Sequence, residues 1–261
     1  MRIVTWNVNS VGARIDRVVA WLEQHKPDVV AIQELKCTTA AFPAAAIEAL
    51  GYEVAAHGDG RWNGVAILSR VGLADVVRDL DAQPMYDGSI EPRAIGATCG
   101  GHRIWSVYVP NGREPEHAHY NYKLEWLAAL RKTAERELTE LVTPNNLPFA
   151  IIGDYNVAPN DADVWDLADF QNATHITPAE REAVLTLREV GLEEVMPRSL
   201  KGEPFTFWDY RALMFQKGMG MRIDLVYANA AFRELVKDAW IDRDERKVKG
   251  GSDHAPVVVD L

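Results

Sequence analysis

Short apolar runs rich in β-branched residues recur along this chain, and each stops at a polar or acidic residue. Runs of about four to eight such residues suit buried strands and are too short for helices. Ile3–Val8 reads as a strand. Ile15, Val18, Val19 and Leu22 then follow i, i+3, i+4, i+7 spacing, and Pro27 stops that helix. Val29–Ile32 supplies a second strand, so the chain opens on a β-α-β unit. Gly64–Leu68, Ala94–Cys99 and Arg103–Val109 read as strands with hairpin-type connections. A long helix is expected from Pro115 to Leu141, with Leu124, Leu127, Leu130, Leu138 and Leu141 on one face. Phe149–Ile152 reads as a strand, Ala179–Val190 as a helix, and Phe205–Trp208, Arg222–Tyr227 and Pro256–Leu261 as late strands. Strands and helices without strict alternation imply a layered α/β protein built on two sheets.

Composition narrows the classes further. With 261 residues, 48% of them hydrophobic, the chain has ample material for a packed core, which excludes disorder and small disulfide scaffolds. No Ser/Gly block or single-sign charge run divides it, and no repeat of fixed period is present. The charge of −10, from 28 basic and 38 acidic residues, argues against a polycation that coats nucleic acid. Cys37 and Cys99 are expected to stay reduced in the cytosol. The N-terminus lacks the apolar core of about 7 to 15 residues of a signal peptide, and no run approaches the ~18 apolar residues of a membrane span. A cytoplasmic protein with no membrane association is expected.

What ends the strands carries the chemistry. Ile3-Val4 leads to Asn7, Val29–Ile32 to Glu34, and Val107 to Tyr108 and Asn111. Phe149–Gly153 leads to Asp154 and Asn156, Ile223 to Asp224, and Asp253-His254 precede the last apolar run. Loops leaving one edge of the sheets would bring these residues together. The set is rich in hard oxygen donors and poor in thiolate, which suits Mg²⁺ or Mn²⁺. HExxH, paired CxxC, GxxxxGK[ST] and GxSxG motifs are absent. A divalent ion among carboxylates, amides and a histidine fits hydrolysis of a phosphate ester. Taken singly, each residue has a plainer use. Glu34 could cap a turn, Gly153–Asn156 is good turn chemistry, and His254, Tyr108 and Trp208 could be ordinary core residues.

Seven segments in order resemble the exonuclease III family of the endonuclease/exonuclease/phosphatase superfamily: Ile3–Ser10, Gln33–Cys37, Asn63–Ser69, Tyr108–Gly112, Gly153–Pro159, Met221–Asp224 and Ser252–Pro256. The resemblance spans the chain and implies a single domain, residues 1–261, forming a four-layer α/β/β/α sandwich with two packed mixed β-sheets flanked by helices. Glu34 resembles the principal metal ligand, with Asn7 beside it, and Asp154 the carboxylate that orients or activates water. Asn156 resembles the amide holding Asp154 and a phosphate oxygen, so Asp154 and Asn156 stand near both metal and phosphate. Asp224 and His254 resemble the family's Asp–His pair at the scissile phosphate. Asp253 resembles a second carboxylate that reaches a metal, and Tyr108 the phenol at the phosphate.

The activity implied is a Mg²⁺-dependent DNA-repair phosphodiesterase, with Mn²⁺ able to substitute. It would act as a monomer on double-stranded DNA with 3′ ends or abasic sites. The resemblance implies 3′-to-5′ digestion, incision 5′ to abasic sites and removal of 3′-blocking groups, by in-line water attack leaving a 3′-hydroxyl and a 5′-phosphate. One ion or two remains open. A superfamily relative acting on RNA, inositol phosphate or phospholipid shares this constellation, and a non-catalytic scaffold would have lost it.

DNA binding by an acidic protein requires a basic rim around the pocket and an acidic back. Arg93, Arg113, Lys123, Arg211, Lys217 and Arg222 lie in or beside the matched segments, as does Arg61; Arg61 and Arg113 are equally compatible with plain solvation. Trp208 and Met221 border the loop Tyr210–Met221, which mixes apolar and basic residues and could wedge beside a missing base or be an ordinary buried loop. Met221 stands where some relatives carry an aromatic residue, and Phe207 where others carry Trp.

Overall fold

Thirteen strands form two sheets in the computed structural model, which describes residues 1–261. The first sheet has the order β10 (Arg198–Ser199), β12 (Asp238–Ile241), β13 (Val257–Asp260), β1 (Arg2–Asn7), β2 (Val29–Gln33), β4 (Val65–Ser69) and β3 (Glu53–His57). The second has the order β5 (Ala74–Arg78), β6 (Ala94–Cys99), β7 (His102–Tyr108), β8 (Phe149–Asp154), β11 (Asp224–Ala228) and β9 (Glu193–Glu194). Both sheets are mixed: β1 and β2 run parallel, as do β7 and β8, whereas β13 and β11 run antiparallel to their neighbours.

Alternation along each strand sorts the side chains into three cores. Ile3, Val29, Ala31 and Val257 point inward and meet Ile95, Ile104, Ile152 and Val226 between the sheets. Val4, Val30 and Ile32 point outward beneath the helices Val11–His25 and Ala44–Glu48, through Val18, Leu22 and Ile47. Trp105, Val107, Ile151 and Leu225 pack beneath the helices Ala118–Glu137 and Pro178–Glu189, through Trp126, Leu130, Val184 and Leu187. The result is the expected α/β/β/α sandwich.

Local signals account for most elements. Ser10 caps the first helix through a bond from the Ala13 N–H, and Lys26 ends it in a left-handed conformation just before Pro27. Gly100 and Gly101, both at positive φ, make the two-residue turn that joins β6 to β7. Some expectations need correction. The long helix is shorter than expected, running over Ala118–Glu137 before a π-turn at Leu138–Val142. Its buried face is carried by Tyr122, Trp126, Leu127 and Leu130, while Leu124, Leu138 and Leu141 are half-buried. Phe205–Trp208 makes only isolated bridges, from Phe207 to Met221 and His254. β3, β5, β9, β10 and β12 were not foreseen; β3 and β5 lie at sheet edges, and β9 and β10 are two residues long.

Register places the polar strand ends together. Asn7 pairs with Gln33 across the parallel β1–β2 ladder, which sets Glu34 next to Asn7. Tyr108 pairs with Asp154 across β7–β8, and Asp154 with Asp224 across β8–β11. β13 enters antiparallel to β1 at Val257 opposite Thr5, so His254 lies beyond that same edge. Gly153 permits the close β7–β8 approach, because a Cβ there would drive into the Val107 carbonyl oxygen.

Candidate active site

Glu34, Tyr108, Asn111, Asp154, Asn156, Asp253 and His254 line one cleft of about 90 Å³ at this edge, with His175, Phe207, Met221 and Ile223. Glu34 and Asn156 both have left-handed backbone, with φ of 55° and 50°. The ladder cannot continue through such residues, and backbone strain of this kind concentrates at functional sites. Glu34, Asp154 and His254 each present a donor atom within 4.8 Å of the others.

Asn7 organises the carboxylates. Its Nδ2 donates to Glu34 Oε1 and to Asp154 Oδ2, both at 2.9 Å, while its Oδ1 accepts the Asn9 N–H at 2.9 Å. Asn7 therefore aims two carboxylates through its nitrogen, and its oxygen, with one N–H accepted, keeps a second lone pair. Asp154 Oδ1 also accepts the Asn156 N–H at 2.9 Å. The Asn156 amide donates to the Val109 carbonyl at 3.0 Å and accepts from Asn111 Nδ2 at 3.2 Å. Asp253 accepts from Asn9 Nδ2 at 3.0 Å and is half-buried.

His254 Nδ1 lies 2.8 Å from Asp224 Oδ2, and its Nε2 lies 3.7 Å from Asp154 Oδ2. Burial disfavours the imidazolium, but Asp224 and Asp154 outweigh it and raise the His254 pKa to about 10. Burial pushes the Asp154 pKa up to about 7, against the attraction of His254 and with the repulsion of Asp224 and Glu34. Glu34 moves the other way. Burial opposes its charge, yet Lys36, with Nζ 3.0 Å from Oε2, and the Asn7 bond hold it below the usual carboxylate range. The Tyr108 phenol is held far above its ordinary value by burial and by Glu34, so it stays a proton donor. Arg93 stacks over its ring at 4.8 Å.

The basic residues divide. Arg113, Arg211 and Lys217 are exposed, with Arg211 paired to Asp209. Arg61 is exposed and bonded to Ser89. Met221 is buried at the wall of the cleft. Four other residues expected at DNA lie inside the protein. Lys123 is fully buried, with Nζ 2.5 Å from Glu180 Oε1, 2.7 Å from the Asn156 carbonyl and 3.2 Å from the Asn111 carbonyl. Arg222 is fully buried in a forked pair with Asp163, at 2.6 and 2.9 Å, and with Glu194. Arg93 pairs with Glu91 at 2.6 Å, and Trp208 packs edge-on against Phe215. A buried charge must be paired, so Lys123, Arg222 and Arg93 brace the loops of the site from within.

Asn9, Lys36, Thr206 and Ser252 were missed as site residues. Thr206 Oγ accepts the Asp224 N–H at 3.1 Å, and Ser252 Oγ accepts the His254 N–H at 3.2 Å. Lys36 could have been found from its place in the Gln33–Cys37 segment; Thr206 carries no local signal.

Comparison with known proteins agrees with this geometry. Residues 4–254 match the model of the Endonuclease/Exonuclease/phosphatase family. Exodeoxyribonuclease III of Haemophilus influenzae is 28% identical over 98% of this chain and 98% of its own length. The 3′-5′ exonuclease NExo from Neisseria meningitidis superposes with a TM-score of 0.93 at 35% identity, covering 100% of this chain and 99% of that one. Another NExo structure, of equal similarity, is described as a 3′ phosphatase bound to a product DNA hairpin. An AP endonuclease from Archaeoglobus fulgidus superposes with a TM-score of 0.90 at 32% identity, covering 100% and 99% of the two chains.

Proposed function

Because the chain belongs to the Endonuclease/Exonuclease/phosphatase family, in its exonuclease III and AP endonuclease branch, and is a nuclease-type hydrolase, we propose a specific reaction for it. The protein is a Mg²⁺-dependent phosphodiesterase of double-stranded DNA that digests 3′ ends, incises 5′ to abasic sites and clears 3′-blocking groups. It acts as a monomer in the cytoplasm, on one domain spanning residues 1–261. The convergence of Glu34, Asp154 and His254 within 4.8 Å in one cleft carries this reading.

The donor set fits a hard divalent ion. Four carboxylates, Glu34, Asp154, Asp224 and Asp253, crowd around two cations, His254 and Lys36, and no thiolate lines the cleft. Glu34 would be the principal ligand, with Asp154 and Asp253 nearby and Asn156 at the edge. Mn²⁺ would substitute for Mg²⁺, since both take oxygen donors. When bound, the ion offsets phosphate charge and stabilises the leaving oxygen.

The chain's own groups divide the remaining work. Asp154, with its pKa near 7, orients water for in-line attack and takes its proton. Asp224 holds the His254 ring so that Nε2 faces the cleft as a charged donor to the phosphate. Asn156 steadies Asp154 through its backbone N–H, and Tyr108 donates to a phosphate oxygen. O3′ leaves, giving a 3′-hydroxyl and a 5′-phosphate. Phe207 and Met221, at the cleft wall, supply the apolar side of a sugar pocket. Arg113, Arg211 and Lys217 form the exposed rim toward DNA.

The deciding experiment incubates the protein with an abasic-site duplex, a recessed 3′ end, RNA, inositol phosphates and phospholipid, with and without EDTA. Metal-dependent cutting of the two DNA substrates is expected. Preference for a lipid, an inositol phosphate or RNA overturns the reading.

A further inference from the structure

Apart from the catalytic cleft, a cavity of about 490 Å³ is lined by Phe215, Gln216, Arg243, Arg246, Lys247 and Val248. Trp208 links the two: its backbone N–H donates to the Asp253 carbonyl at 2.9 Å, and its ring faces the Arg243 guanidinium at 5.4 Å. Arg243 also lies 4.4 Å from the Phe215 ring, and Arg246 approaches that ring at 5.1 Å and the Tyr210 ring at 4.8 Å. Two guanidiniums therefore flank one buried phenyl ring.

The charges are poorly compensated. Arg243 makes no side-chain hydrogen bond and no ion pair. Arg246 donates once, to the Trp208 carbonyl at 3.1 Å, and its buried Nε has no partner. Three neighbouring carboxylates are already paired, Glu245 with Arg17 at 2.6 Å, Asp244 with Lys247 and Asp209 with Arg211, while Asp253 accepts from Asn9 and attracts Arg246 without an ion pair. Two guanidiniums around one ring make the groove electropositive, and an anion seated there would offset both. Planar guanidinium forks with free donors match phosphate oxygens, and the aromatic rings fix their orientation without using those donors.

We propose that this groove is a second phosphate-binding subsite that takes a backbone phosphate of the nucleic-acid strand held in the catalytic cleft; it rests on the DNA reading above. Arg243 supplies the bidentate contact, with Arg246 and Lys247 beside it.

The test compares the wild type with Arg243→Met, which keeps an apolar stem over the rings, and with Arg243→Lys, which keeps the charge but not the fork. Duplex binding in EDTA is followed by fluorescence anisotropy from 50 to 200 mM salt, thermal melting checks the fold, and steady-state cleavage gives KM and kcat. For Arg243→Met we expect binding weakened roughly three- to tenfold, a salt slope smaller by about one, a raised KM and an unchanged kcat. Arg243→Lys should recover the slope but only part of the affinity. A wild-type slope and KM in Arg243→Met overturn the subsite. If a free deoxynucleoside monophosphate added to the cleavage assay inhibits the wild type but not Arg243→Met, while the two bind DNA equally, the strand is overturned as the occupant. If the Arg243 variants melt early, Lys247→Met must reduce the slope or the subsite falls. Absence of cutting by the wild type overturns the DNA reading itself, whereas normal cutting with an unchanged Arg243→Met slope overturns the groove alone.

Discussion

Asp224 reaches His254 from beneath, with Oδ2 2.8 Å from Nδ1, while the other ring nitrogen faces Asp154 at 3.7 Å. One carboxylate thus fixes the ring from below and a second meets it in the cleft. Asp224→Asn should leave the fold intact by circular dichroism, yet remove the negative charge that keeps the imidazolium formed. We expect a drop in kcat of roughly 10²- to 10⁴-fold, the range for a misoriented catalytic histidine. Activity within threefold of wild type would remove His254 from the proposed chemistry.

Asn7 joins Glu34 to Asp154 through a single amide nitrogen. Asn7→Ala should loosen both carboxylates at once and weaken divalent-ion binding roughly 10- to 100-fold, as loss of groups that orient ligands does. Isothermal titration with Mn²⁺ measures this directly. Unchanged affinity would show that the carboxylates hold their positions without the amide.

Lys123 and Glu180 are both fully buried, with Nζ and Oε1 2.5 Å apart. Lys123→Met leaves the Glu180 charge without its partner and releases the Asn111 and Asn156 carbonyls. Denaturant unfolding should show a loss of about 3–5 kcal/mol, the magnitude for a broken buried pair. The salt dependence of DNA binding should not change, because the ammonium is not at the surface. A reduced salt slope with stability intact would restore Lys123 to the DNA-facing rim.

His119 is buried, with Nδ1 accepting the Gly112 N–H at 3.1 Å. Burial and Arg93 lower its pKa to about 4 from an ordinary 6.5. The folded imidazole therefore refuses a proton that the unfolded chain accepts. Its contribution to stability is intact above pH 6.5 and is lost as pH falls from about 6.5 to about 4. Urea unfolding across this range should show the decline, and His119→Gln should flatten part of it. Equal slopes in the two proteins would assign the decline to other groups.

Much of the site was legible as a set of residues. Ile3-Val4, Val29–Ile32 and Phe149–Ile152 announced buried strands by local composition, and Asn7, Glu34 and Asp154 followed them directly. Edge strands were not legible. Glu53–His57 and Ala74–Arg78 gain their strand character from a neighbour's ladder rather than from an apolar pattern of their own.

The sequence by itself determined the layered α/β class, the polar termini of its strands and the hard-oxygen character of the donor set, because these depend on side chains within a few positions of one another. Tertiary structure alone decided which charges face outward. Lys123 meets Glu180 57 positions away, and Arg222 meets Asp163 at a separation of 59, so both cations lie inside the protein instead of on a DNA-binding rim. Arg243, with no comparable partner, keeps its donors free over two aromatic rings. Burial of a charge depends on whether a distant opposite charge arrives at hydrogen-bonding distance, and only the packed chain sets that distance.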